Sequence, residues 1–243
     1  MNARITLAIS GRVLTQIRRD HRTLAMLLVL PCLLITLLWW MFEDTPVFDE
    51  VGPALLAMFP FIVMFLVTSV TTLRERSSGT LERLLAMPMG KLDFLLGYGV
   101  AFGVVAAAQS VLAVALSVGL LDLDVQGPVW LLTVVSVVDA VLGTALGLFV
   151  SAFAQTEFQA VQFMPAVVIP QILLCGLFIP RDQLPDVLEW VSDVLPLSYA
   201  VDAMQTLTLT AETADVWQDL VVVAAFALGG LVLGAATLRR RTP

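Results

Sequence analysis

The chain has 243 residues, of which 59% are hydrophobic and 14% charged, and its mean hydropathy is +0.93. Soluble domains run near half apolar and about a quarter charged, so this composition excludes a water-soluble enzyme and makes lipid the expected solvent. The formal net charge of −7, with no basic patch carrying interleaved aromatics, argues against nucleic acid as a partner.

The first 22 residues are polar and basic for too long to be a signal peptide, and the apolar run behind them lacks a small-residue cleavage site. Within that segment, residues 5–17 set Ile5, Leu7, Ala8, Ile9, Val13, Leu14 and Ile17 against Arg4, Arg12, Gln16, Arg18 and Arg19. This reads as an amphipathic basic helix able to lie among lipid headgroups, or as a plain basic anchor for the first span. A span needs roughly 20 apolar residues. Six stretches meet that, at about 24–42, 52–73, 94–121, 129–154, 158–179 and 220–238. Each is expected to be helical, because lipid satisfies no backbone polar group; the runs are continuous, without the alternation of a barrel strand. Cys32 and Cys175 sit inside apolar runs without metal-ligand spacing and read as packed thiols.

Between spans 2 and 3, Ser78 and Thr80 are candidate N-caps for a short helix over 81–87 that stops at Pro88. Leu81, Leu84, Leu85 and Pro88 share one face of it. This is either a docking surface or a well-ordered turn. Between spans 5 and 6 lies the longest exposed segment, 180–219. Leu184, Val187, Leu188, Val191 and Leu195 repeat at helical spacing there, Trp190 joins them as an interfacial aromatic, and Pro180, Pro185 and Pro196 punctuate the run. One or two short helices dipping toward the outer leaflet are expected. No internal repeat or linker is evident, so residues 1–243 read as a single transmembrane domain.

Charge sorts along this pattern. Of the 13 Lys and Arg, all but Arg181 fall before span 1, between spans 2 and 3, or after span 6. The acids gather after spans 1, 3 and 5. Basic segments separated by even numbers of spans admit one topology, with both termini and the loop after span 2 cytoplasmic.

Chemistry-bearing motifs are mostly absent. There is no phosphate-binding G-x-x-x-x-G-K-[ST] loop, no H-E-x-x-H and no G-x-S-x-G elbow. Asp139 is the one charge deep in a span. It reads either as an acid that contacts substrate or a proton, or as a structural, hydrogen-bonded carboxyl. Gln109, Gln159, Gln162 and Gln171 could join a polar lining. Three G-x-x-x-G pairs, Gly99/Gly103, Gly143/Gly147 and Gly230/Gly234, permit close helix packing without saying which helices use it.

The run Arg74-Glu75-Arg76-Ser77-Ser78-Gly79-Thr80-Leu81-Glu82-Arg83-Leu84-Leu85-Ala86-Met87-Pro88 resembles the signature of ABC-2-type permeases, the membrane subunits of ATP-binding-cassette exporters. A second stretch is similar to the family's segment after span 5: Ile179-Pro180, Leu184-Pro185, Leu195-Pro196-Leu197-Ser198-Tyr199 and Asp202-Ala203. The resemblance implies an all-α membrane protein. It would have six transmembrane helices, an N-terminal amphipathic interfacial helix, a cytoplasmic coupling helix between spans 2 and 3, and short re-entrant outer helices between spans 5 and 6. It also implies an ATPase-docking surface at Arg76, Gly79, Thr80, Leu81, Glu82, Arg83, Leu84, Leu85 and Pro88, and an outer gate at Pro180, Leu184, Pro185, Pro196 and Tyr199. A substrate pathway would then pass Asp139, Gln109, Gln162 and Gln171.

The partners so implied are two copies of an ABC ATPase subunit, a second permease copy or paralogue, and the bilayer of a prokaryotic cytoplasmic membrane. The chain itself would hold no cofactor and catalyse nothing, the ATPase binding ATP and Mg. The basic residue that relatives often carry near the start of span 3 is absent at Gly97-Tyr98, and Met204-Gln205 follow Asp202-Ala203 where an Arg often stands. The nearest type is a small drug- or antibiotic-exporting permease like the daunorubicin-resistance group, moving a hydrophobic or amphipathic substrate. The alternative within the family is a polysaccharide or glycolipid exporter. Outside it stand a secondary transporter, for which inverted repeats are expected, and an intramembrane enzyme built on Asp139.

Overall fold

The computed structural model describes residues 3–43, 45–77 and 91–237. Among them every regular element is helical. The helices are α1 Ala3–Arg19, α2 His21–Met41, α3 Val47–Ser77, α4 Lys91–Gly119, α5 Val129–Ser151, α6 Glu157–Leu174, α7 Asp186–Val194, α8 Pro196–Leu209 and α9 Ala214–Thr237, with a single 3₁₀ turn at Arg181–Gln183. Six of them, α2, α3, α4, α5, α6 and α9, are long and apolar enough to cross a membrane. The chain is an all-α, multi-pass membrane protein.

Local signals set several helix ends. Asp20 caps α2 by accepting from the Thr23 backbone N–H at 3.1 Å and from its hydroxyl at 2.7 Å, bonds that hold this exposed carboxyl below its usual pKa. Thr156 accepts from Gln159 N at 3.2 Å, and Gln159 Oε1 reaches back to Gln155 N at 2.8 Å. The amide of Gln159 is thereby spent on starting α6 rather than on a polar lining. The fifth span was expected to run to 179, but α6 stops at Leu174. Cys175 adopts a bridging conformation and Gly176 takes φ +91°, a left-handed turn that glycine makes without a Cβ penalty.

Part of the apolar stripe expected of α1 packs on the chain itself. Ile9, Val13 and Ile17 are buried within the chain, in one cluster with Tyr98, Ala101 and Phe102 of α4 and with Leu27 of α2. Much of the stripe of α1 is covered by protein, while Leu7 remains 65% exposed. The apolar stripe of α7 does the reverse, for Val187 and Trp190 remain 73% and 68% exposed and Ser192 is the one residue of α7 buried in the chain.

Helix α5 is the centre of the bundle, with α3, α9, α4 and α8 around it. The spans α3 and α5 are each 67% buried, whereas α2 and α6 are 17% buried, so α2 and α6 are peripheral and present most of their surface to whatever surrounds the chain. Among the described glycines, the closest backbone approach lies in the seam between α3 and α5. An added Cβ at Gly143 would stand 2.4 Å from the Phe61 carbonyl oxygen, and one at Gly147 would stand 2.5 Å from that of Phe65. At Gly99 and Gly103 the nearest atoms are 3.7 and 3.8 Å away, an ordinary contact. Of the three G-x-x-x-G pairs, Gly143/Gly147 is therefore the one that backbone requires.

The same seam resolves a defect in α3. Pro60 has no N–H to give to the carbonyl four residues back, which is that of Leu56. Ser136 Oγ of α5 reaches that oxygen at 3.4 Å. In a bilayer core, where water is scarce, a carbonyl freed by proline needs such a partner from a neighbouring helix.

Candidate functional site

The polar groups of the bundle fall into three places: a basic end, a buried middle and an acidic end. At the basic end, α3 finishes on two consecutive charges that grip different elements. Glu75 receives Arg12 Nη2 of α1 at 3.2 Å (Oε1) and 3.4 Å (Oε2). The same guanidinium nitrogen donates to the Tyr98 hydroxyl of α4 at 2.7 Å. Tyr98 is fully buried, and the side chains of Arg12 and Glu75 are 30% and 12% exposed. Ser10 Oγ adds a 2.8 Å bond to the Gly97 carbonyl, and Gly97 seats Ile9 so closely that a Cβ there would meet it at 2.7 Å. Arg74 points the other way and clasps Glu157 at the start of α6 with two bonds of 3.1 Å. This second pair is more than half exposed on the Arg74 side, where ion pairs contribute little stability. The last turn of α3 is thus tied to α1, α4 and α6 immediately before residues 78–90.

Those residues include most of the expected docking surface. Gly79, Thr80, Leu81, Glu82, Arg83, Leu84, Leu85 and Pro88, with the candidate caps Ser78 and Thr80, lie outside the described residues. Arg76 belongs to the final turn of α3.

In the middle, Asp139 and Gln109 are wholly buried. Neither carboxylate oxygen of Asp139, nor either polar atom of the Gln109 amide, has a hydrogen-bond partner among the described residues. Asp139 occupies the same i, i+3, i+7 stripe of α5 as Ser136 and Gly143, the stripe that meets α3. Gln171 is also buried, and it is committed: its Nε2 donates to the Val167 carbonyl at 3.0 Å and its Oε1 accepts from Leu197 N of α8 at 3.4 Å. Gln162 alone of the expected pathway residues is exposed. These four side chains therefore do not share one surface of the chain.

At the acidic end, Tyr199 of the expected gate meets a residue the sequence had marked only as the odd base out. Arg181 pairs through Nη1 with Asp202 and, at 2.5 Å, through Nη2 with Asp193. Its guanidinium carbon sits 5.0 Å from the centre of the Tyr199 ring, a cation–π contact. Tyr199 in turn donates its hydroxyl to the Asp193 carbonyl at 2.8 Å. Pro185 stands at the N-cap of α7 and Pro196 opens α8, positions that suit a residue lacking N–H. Leu184 and Pro196 are buried, and Pro180 and Pro185 exposed. Ser192 Oγ bonds the Leu174 carbonyl at 2.8 Å and lies 3.0 Å from Ser198 Oγ, so the end of α6 is fastened to both short helices. A cavity of about 520 Å³ opens beside the cluster, lined in part by Asp49, Glu50, Arg181, Asp182, Asp202 and Gln205. Burial pushes the Asp202 carboxyl above its ordinary pKa, against the opposing pull of Arg181. Burial also pushes the neighbouring Cys175 thiol up to about 11, which leaves it protonated and poorly nucleophilic.

These contacts give a test with a definite sign. Arg181→Ala removes the charge that favours ionised Asp202 and leaves a part-buried carboxylate uncompensated. The variant is expected to lose about 1–3 kcal/mol of stability at neutral pH. The deficit should shrink as pH falls, because the variant's Asp202 takes up a proton more readily and its neutral form needs no counter-charge. Thermal melts of the purified chain in mild detergent, at neutral and at acid pH, measure it. A deficit that grows toward acid pH would refute this account of the cluster.

Sequence comparison relates the chain to known proteins. A family model described as ABC-2 type transporter matches residues 5–209, from α1 through α8. The chain is 28% identical over 171 residues to the probable multidrug ABC transporter permease YbhR of Escherichia coli K12, a match covering 70% of this chain and 46% of that protein. It is 25% identical over 182 residues to the probable multidrug ABC transporter permease YbhS of the same organism, covering 74% and 48% respectively. It is also 25% identical over 178 residues to ABC transporter G family member 20 of Dictyostelium discoideum, covering 72% of this chain and 24% of that one. The matches span about half the length of the bacterial relatives and a quarter of the Dictyostelium protein.

Proposed function

The chain belongs to the ABC-2 type transporter family, and on that premise we propose that it is the membrane subunit of an ATP-driven exporter, moving a hydrophobic or amphipathic molecule out of the cytoplasm or the inner leaflet. The observation that carries this reading is the family match across α1 to α8 on a chain of six apolar helices. Residues 1–243 carry no phosphate-binding loop, so in this reading ATP and Mg are bound outside them, on an ATPase subunit. Names of relatives that include multidrug permeases favour a drug-like cargo over a polysaccharide.

In this reading residues 78–88 dock on the ATPase, and both termini share the cytoplasm with that segment. Closure of two ATPase subunits pulls on the end of α3. Arg74 and Glu75 spread the pull to α6 and α1, which they contact directly. A second copy of the chain, or a paralogue, covers the α6 surface. That helix exposes Gln162 together with Pro165 and Pro170. A side-chain amide facing lipid is costly, and each proline frees a carbonyl that needs a partner. The route for cargo then lies along this face. The cluster around Arg181, Tyr199 and Asp202 closes it at the far end, and its opening releases cargo outward.

The experiment is co-purification and transport with the ATPase whose gene neighbours that of this chain. Glu82→Lys and Leu84→Asp are each expected to leave the chain in the membrane. Each should weaken its association with the ATPase and reduce ATP-driven transport at least about tenfold, since a charge reversed or buried at a docking point costs a few kcal/mol. Unchanged transport in both variants would remove the docking role, and failure of the wild-type chain to associate with any ATPase would remove the exporter reading.

A further inference from the structure

The arginines at the basic end divide sharply by what they touch. Arg12 is committed to Glu75 and Tyr98, and Arg74 to Glu157. Arg18, Arg19 and Arg22 are exposed and have no ion pair or side-chain hydrogen bond with any described residue. They sit together at the elbow where α1 ends at Arg19 and α2 begins at His21. The one acid among them, Asp20, is occupied by the backbone and hydroxyl of Thr23. Counting three arginines against Asp20, the elbow carries a net charge of about +2.

Position narrows the partner. The first apolar residue of the α2 span, Leu24, follows Arg22 by two residues, so at about 1.5 Å per residue the Arg22 backbone lies roughly 3 Å before the hydrocarbon begins. That is headgroup depth, since each headgroup layer is about 5–8 Å thick. Ile9, Val13 and Ile17 of α1 face α4 and α2, whereas Arg18 and Arg19 at its end are exposed beside Arg22 at the start of the span. Guanidinium groups suit phosphate oxygens, each presenting a planar fork of donors.

From these observations we infer that the α1–α2 elbow binds the phosphate headgroup of an anionic phospholipid through Arg18, Arg19 and Arg22. The lipid fastens the outer side of α1 to the bilayer while Ile9, Val13 and Ile17 fasten its inner side to the bundle. Because α1 also holds Glu75 through Arg12, occupancy of the elbow steadies the end of α3. Lipid charge thereby acts on the coupling proposed above. The binding itself stands without that reading.

The test uses the full chain in neutral detergent and measures binding of phosphatidylglycerol against phosphatidylcholine. The triple variant Arg18→Gln, Arg19→Gln, Arg22→Gln is compared with Arg239→Gln, Arg240→Gln, Arg241→Gln, which removes the same charge from the C-terminal tail. All three elbow side chains are exposed, so the elbow variant should melt with the wild type in the absence of anionic lipid. The wild type is expected to prefer phosphatidylglycerol. The elbow variant should lose that preference by about tenfold or more, because each basic residue near an anionic surface is worth several-fold in affinity, and the tail variant should keep most of it. Equal losses in both variants would mean bulk charge alone and would overturn the proposal. So would a retained preference in the elbow variant, including the case in which that variant instead loses the ATPase and the arginines prove to be a protein contact.

Discussion

Gly143→Val should leave the chain unable to form a stable bundle, and Gly147→Val should do nearly the same. At both positions the atom an added Cβ would meet is a backbone carbonyl oxygen, at 2.4 Å from Phe61 and 2.5 Å from Phe65. Real Cβ atoms do not approach so closely, and a backbone oxygen in a helix cannot swing aside as a long side chain can. The helices must separate, which would also draw Ser136 away from the Leu56 carbonyl that Pro60 leaves free. Overpacking a core commonly costs about 1–3 kcal/mol when side chains can adjust; here the cost should reach the top of that range or exceed it.

The contrast within the chain makes the claim sharp. Gly230→Ala meets the Ala145 Cβ at 3.2 Å and calls for a small shift, and Gly11→Ala meets nothing within 4 Å. Thermal stability in detergent should therefore rank Gly11→Ala near the wild type, Gly230→Ala somewhat lower, and Gly143→Ala and Gly147→Ala lowest. A Gly143→Ala variant as stable as Gly11→Ala would show that α3 and α5 do not pack as described.

The second large effect is expected at the basic end. Arg12→Glu would set two carboxylates against each other beside a buried tyrosine hydroxyl. The wild-type pair is neither fully exposed nor fully buried, so its loss should cost about 1–3 kcal/mol, between the values for surface and interior ion pairs. Glu75→Arg alone should cost a similar amount, by opposing two guanidinium groups. Combining the two changes restores opposite charges at the same spacing and should recover much of the loss, giving a coupling energy of roughly 1 kcal/mol or more in a double-mutant cycle. Tyr98→Phe, which removes one partner of Arg12 and keeps the ring, should cost about 1 kcal/mol. If the exporter reading holds, the single reversals should also depress ATP-driven transport more than stability alone explains, and the double reversal should restore it. Additive losses in the double variant would mean that Arg12 and Glu75 do not act on each other.

The sequence determined by itself what depends on local composition and short-range spacing. Six apolar runs of span length announced six helices, because a backbone in lipid must satisfy its own hydrogen bonds. The proline-punctuated segment after Ile179 announced short helices there, since proline is favoured at a helix start. The run from Arg74 to Pro88 and the stretch through Asp202-Ala203 carried the family resemblance that the match over residues 5–209 supports.

The tertiary structure decided everything that depends on which helices are neighbours. Three G-x-x-x-G pairs looked alike, and only the path of α3 beside α5 made Gly143 and Gly147 indispensable. The stripe of α1 was amphipathic in either setting, and only the fold showed that Ile9, Val13 and Ile17 pack on α4 and α2. Gln109, Gln162 and Gln171 were equivalent as polar residues in apolar runs, yet one is buried without a partner among the described residues, one is exposed and one holds Leu197. Arg181 and Asp202 are 21 residues apart, and nothing in their spacing announced a pair. The apolar effect is proportional to area and nearly blind to direction, so sequence reveals it run by run. Close backbone approach and ion pairing require particular atoms to meet, and only the folded bundle brings them together.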